Sequence, residues 1–176
     1  MNKESLFWLV ITLSALATMG VLLGQSDGDP LYNSADDRHP IADDCIGSHG
    51  DANNPLVSHY HVTLRISVLG ENVDIPSTVG RPDGDCNMRP LHTHDDTGKI
   101  HLEFFEEDVE APLAAFFDIW GLHMDASGFD EHRVDDQHEF LMFVTEEGQQ
   151  RVQVDDFEKH IVEDGQLIEL VYRQIA

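Results

Sequence analysis

The sequence predicts an α+β fold: a single N-terminal transmembrane helix followed by one domain with a mixed sheet, one packed helix and an inserted β-hairpin. Three observations carry this expectation. Residues 6–24 (LFWLVITLSALATMGVLLG) hold no charged side chain, and a helix of that length rises about 30 Å, the thickness of the hydrocarbon core of a bilayer. Several short segments alternate apolar and polar residues, the signature of half-buried strands. One stretch, residues 112–120 (PLAAFFDIW), spaces its apolar residues for a helix instead.

Lys3 precedes the apolar segment, and Asp27 and Asp29 follow it. That asymmetry favours a cytoplasmic N-terminus and an extracytoplasmic remainder. It predicts a single-pass protein of the cell membrane with the lipid bilayer as partner through residues 6–24. A cleaved signal peptide is the competing reading, but Leu22 and Gly24 fit its small-residue positions poorly. Residues 25–56 are rich in Asp, Gly, Asn and Pro, as expected of an acidic linker that becomes a loop near Cys45. The domain then occupies residues 57–176, about 120 residues and enough for one core.

Thirty-four acidic residues oppose ten basic ones, for a formal net charge of -24. Nucleic-acid binding needs a basic footprint, and anionic headgroups attract basic segments, so the charge argues against both partner classes. The acid is dispersed in pairs such as Asp36-Asp37 and Asp155-Asp156, which reads as a solvated surface whose self-repulsion salt would screen.

Within the domain, Val62, Leu64, Ile66 and Val68 alternate with Thr63, Arg65 and Ser67, predicting a strand. A turn at Gly70-Glu71-Asn72 returns a partner strand through Val73 and Ile75 to Val79. Residues 91–104 (LHTHDDTGKIHLEF) form the inserted hairpin, turning at Asp95-Asp96-Thr97-Gly98. Pro112 opens the helix, Leu113, Phe116, Phe117 and Trp120 make its buried face, and Gly121 stops it. Further strands are expected at Phe140 to Val144, at Val152 and Val154, and at Leu167 to Tyr172.

Two His-x-His pairs carry the functional signal. In a strand, residues two apart project from one face, so His59 with His61, and His92 with His94, can each converge on one ion. His59 and His61 share the polar register of Thr63 and Arg65. In the hairpin a four-residue turn sets His92 opposite His101, and directly opposed residues share a face. These five imidazoles are the candidate ligands of a transition metal, copper or zinc, which imidazole suits. Asp95, Asp96, Glu103 or Cys86 would complete or support the coordination. The other six histidines read as surface and hydrogen-bonding residues. Cys45 and Cys86 either pair as a disulfide, which would close a loop of about 40 residues and stabilise the domain by about 3–4 kcal/mol, or serve as thiolate ligands. No nucleophile elbow, HExxH or phosphate loop occurs.

The segments HYHVTLRISVLGENVDIPSTVG, CNMRPLHTHDDTGKIHLEF and FFDIWG resemble a family of exported or membrane-anchored bacterial and archaeal proteins with the motifs HxH, C-x5-HTHD-x2-G-x-IH-x-E and FFDxWG. The resemblance implies that Cys86, His92, His94, His101, Phe117 and Trp120 occupy motif positions, and it implies no activity. The element order in the C-terminal half resembles the β-grasp arrangement of ubiquitin-like domains, which also implies no function. The expected function is a membrane-tethered, extracytoplasmic binding domain with a His-rich copper or zinc site, an accessory subunit of a membrane complex. A structural or protein-interaction domain without metal is the alternative, and a metal-dependent enzyme the second alternative.

Overall fold

The computed structural model describes residues 38–47, 54–82 and 86–175, all within one compact unit, Tyr32–Ala176. Alternation in the first strand does what the pattern requires. In β1, Ser58–Val68, the side chains of Val62, Leu64 and Ile66 are buried while His59 and Arg65 are exposed. The chain continues through β2 (Glu71–Val73), β3 (Leu91–His92), β4 (Lys99–Phe104) and α1 (Leu113–Trp120). Three two-residue strands follow, β5 (Met124–Asp125), β6 (Gly128–Phe129) and β7 (His132–Arg133), then β8 (His138–Thr145), β9 (Val152–Val154) and β10 (Leu167–Gln174).

The main sheet runs β3-β4-β1-β10-β8-β9, with β2 also on β1. It is mixed: β1 and β10 are parallel from Thr63↔Leu167 to Val68↔Tyr172, and the other pairings are antiparallel. β1 is long enough to be shared. On one edge its first half pairs with β4 and its second half with β2. On the other edge β10 begins only at Thr63, so the half bearing His59 and His61 extends past it.

The helix packs on one face of this sheet. Leu113, Ala115, Phe116 and Phe117 are fully buried, joining Val62, Leu64, Ile100, Leu102, Met142, Ile168 and Leu170 in one core. Pro112 stands at the N-cap and Gly121 ends the helix in the left-handed region (φ 80°), as the sequence suggested. Asp118 is buried because its carboxylate accepts from the His39 N–H at 2.7 Å, while its carbonyl accepts from Arg38. This ties a short 3-10 turn, Pro40–Asp43, to the helix.

Cys45 and Cys86 form a disulfide, which removes both as thiolate ligands. The return strand expected up to Val79 ends at Val73. Pro76 has no N–H for a ladder, and its carbonyl is committed to Thr93. The polar stretch after α1 folds into a separate three-stranded sheet, β5-β6-β7, which its turn-rich composition concealed.

The expected membrane-spanning helix needs correction. Residues 6–24 lie outside the described residues, and among the described residues no helix is long and apolar enough to cross a membrane. The architecture that stands is an α+β domain with a mixed, unclosed sheet and one packed helix. Among the described residues nothing supports a single-pass cell-membrane localisation with an extracytoplasmic domain. The same holds for the bilayer, or a membrane complex, as partner.

Candidate metal centre

Strand pairing assembles the site. On the sheet face opposite α1, register sets His59 beside Glu103 and His61 beside His101 across β1 and β4, and His92 beside His101 across β3 and β4. His61, His101 and His92 therefore form a row across three adjacent strands, and His94 follows His92 by two residues. All five expected histidines meet in one place.

They fall into two groups that share one member. In the first, the Nε2 atoms of His59 and His61 are 3.1 Å apart, and they lie 3.4 and 3.0 Å from His101 Nδ1. In the second, His92 Nε2 and His94 Nε2 are 3.1 Å apart, with a His101 nitrogen within 4.8 Å of each. The His94 and His101 rings meet edge to face with centroids 4.6 Å apart, and the His92 and His101 rings stack at 5.4 Å. In a tetrahedral site with bonds of 2.0–2.1 Å, ligand nitrogens sit about 3.3 Å from one another. The first group already has that spacing.

The backbone around the cluster is held at two points. His61 N–H donates to Asp164 Oδ1 at 2.9 Å, and its carbonyl accepts from Gly165 N–H at 2.8 Å, so a turn takes over where β10 has not yet begun. Thr93, fully buried between His92 and His94, clamps the hairpin. Its hydroxyl donates to the Pro76 carbonyl at 2.6 Å and accepts from Val79 N–H at 3.1 Å, and its N–H donates to the Val79 carbonyl. At the hairpin turn Asp95 Oδ1 accepts from Thr97 N–H and hydroxyl, so Asp95 shapes the turn. Gly98 has φ +79°, and a Cβ there would stand 2.3 Å from the Leu64 carbonyl oxygen. Only glycine allows this turn to press against β1.

The protonation chemistry suits ligation. His92 Nδ1 lies 2.9 Å from the Arg89 carbonyl. A carbonyl only accepts, so Nδ1 carries the proton and Nε2, facing His94, presents its lone pair. Burial, and then the neighbouring His61, His94, His59 and Lys99, push the His101 pKa down to about 4. Burial and the nearby His59 and Lys99 lower His61 as well, against the opposing carboxylates of Asp164 and Glu103. Neutral imidazoles are the form that binds metal.

Glu103 adds negative charge. Its side chain is fully buried, with Oε1 3.3 Å from His59 Nε2. A desolvated carboxylate beside one nitrogen of the triad favours a cation there. The sequence marks Glu103 only as one of several supporting groups and does not single out Thr93 or Asp164. The signal for Thr93 was its place inside H-T-H. Nothing local marked Asp164, a hundred residues from His61.

The remaining described histidines have other work. His39 Nδ1 accepts from Ile41 N–H, His123 bonds Asp125 and Ser127, and His160 bonds Asp156 and Gln166. His138 bonds Asp135, and the His132 and His138 rings lie against Tyr172. His49 lies outside the described residues. No family model, curated protein or solved structure matches this chain.

Proposed function

We propose that this domain binds a transition-metal ion, zinc or copper, through His59, His61 and His101, extended by His92 and His94. The observation that carries the reading is the triangle of nitrogens with edges of 3.0, 3.1 and 3.4 Å on a rigid sheet face. Three imidazole nitrogens from two strands converge there at close to the spacing that the ligands of a tetrahedral ion adopt. The donor set is imidazole with a carboxylate nearby, which suits zinc and Cu(II). The disulfide removes the soft thiolate donors that would select Cu(I). Dispersed acidity raises the local concentration of cations around the domain.

The test is metal retention by the full-length chain. After loading with one equivalent of Zn(II) or Cu(II) and gel filtration, near-stoichiometric metal is expected on the unaltered protein. The His61→Ala/His101→Ala variant is expected to retain little. An unaltered chain that leaves the column without metal overturns the reading.

A further inference from the structure

The five histidines do not share one set of mutual distances. They divide into two triads, and His101 belongs to both. In the first triad the nitrogen in use is identified: Nδ1 of His101 faces His59 and His61. An imidazole has a second nitrogen on the other side of the ring, and the second triad, His92 with His94, lies against that same ring.

We propose that the site is binuclear, with His101 as a bridging imidazolate: Nδ1 to an outer ion held by His59 and His61, and Nε2 to an inner ion held by His92 and His94. This rests on the metal-binding reading above and goes beyond it in ion count and in the role of one residue. Loading the second ion breaks the remaining N–H bond of His101, forms a metal–nitrogen bond, and releases one proton to water. No electron is transferred.

The two positions differ in burial. His59 is 45 % exposed at its side chain, whereas His92 is fully buried beneath the loop that carries Gly80. A Cβ on Gly80 would lie 2.3 Å from the Leu91 carbonyl oxygen and 2.9 Å from His92 Cβ, so that loop closes directly on the inner triad. His92 is also the residue whose tautomer the Arg89 carbonyl dictates. An outer ion would exchange readily with solvent and chelators, and an inner ion slowly. Burial and ligand orientation both predict that order.

The experiment uses the full-length chain with Zn(II) or Cu(II) salts alone. Two zinc ions per chain are expected by metal analysis. The His59→Ala/His61→Ala and His92→Ala/His94→Ala variants are each expected to keep one, and His101→Ala to weaken both sites at least tenfold. With two Cu(II) ions on the unaltered chain, exchange through the imidazolate should reduce the integrated electron paramagnetic resonance signal well below the copper content. The one-copper variants should give full intensity. The comparison of signal with copper content on the unaltered chain does not depend on any variant folding. One ion per chain overturns the binuclear inference and leaves the metal reading standing. Two ions with full, uncoupled intensity overturn the bridge. No bound ion overturns both.

Discussion

Asp164 accepts a hydrogen bond from the backbone N–H of His61 at 2.9 Å. The residue comes from the turn before β10, at the far end of the chain from β1. It holds the middle ligand of the outer triad at the point where parallel pairing stops. Replacing Asp164 with Ala removes that acceptor while leaving every imidazole in place. The expected result is a loss of about 1 kcal/mol in stability and a roughly tenfold weaker hold on metal. Asp164→Asn keeps an Oδ1 acceptor and should recover most of the affinity. Zinc titration calorimetry and urea denaturation on the two variants check this.

Glu103 is the fully buried carboxylate beside His59. Glu103→Gln preserves its shape and removes its charge. Metal affinity is expected to fall about tenfold or more, in the range seen when groups supporting metal ligands are altered. The apoprotein should not lose stability to the same degree, because desolvating a carboxylate is costly in its own right. Competition with a chromogenic chelator, beside thermal melts of the metal-free forms, separates the two effects.

Gly98 and Gly148 both have positive φ, +79° and +73°, but only Gly98 is crowded. Alanine at Gly148 meets nothing within 4 Å and should cost about 1 kcal/mol for the backbone conformation alone. Alanine at Gly98 adds a collision with the Leu64 carbonyl, so a loss of about 3 kcal/mol is expected. It should also lower metal affinity, because the turn that sets the β4 register moves off β1. Equal losses at the two sites, measured by chemical denaturation, would sink the claim that this approach positions the site.

Asp125 titrates below the ordinary carboxylate value. Burial alone would raise it, but hydrogen bonds from the Ser127 hydroxyl and N–H, together with His123, outweigh burial. Its folded pKa is therefore depressed. The stability it contributes is present above the unfolded value, near 3.8, and is lost as pH falls through the lower folded value. Asp125→Asn should be less stable than the unaltered chain at neutral pH. The difference should shrink only when the pH drops below the usual carboxylate range. Stability curves between neutral pH and pH 2 check the sign.

The parity of β1 was legible from its alternation, and it placed His59 and His61 together on the polar face. The hairpin was legible as well: a four-residue turn sets His92 opposite His101, and that pairing is observed. The meeting of the two pairs was not. It depends on β4 docking against β1 so that His61 faces His101, and no local periodicity encodes a register set by Gly98 against Leu64. The burial of His92 escaped for a similar reason, because the covering loop is joined to it through Thr93, Val79 and Pro76. The return strand was overextended past Val73 because the apolar pattern of Ile75 and Val79 outlasts the ladder that Pro76 interrupts. The apolar run at residues 6–24 remains a property of the sequence alone.

The pairing of β1 with β10 has a consequence for biosynthesis. Thr63 leaves the ribosome about a hundred residues before Leu167, its neighbour in the sheet, and such distant pairings form late. Asp164 and Gly165, which clasp His61, also emerge near the end of translation. The histidines of β1, β3 and β4 can be translated and even paired among themselves while the outer triad still lacks its anchor. On the proposed metal reading, the outer position would reach its full hold on an ion only when the polypeptide is nearly finished.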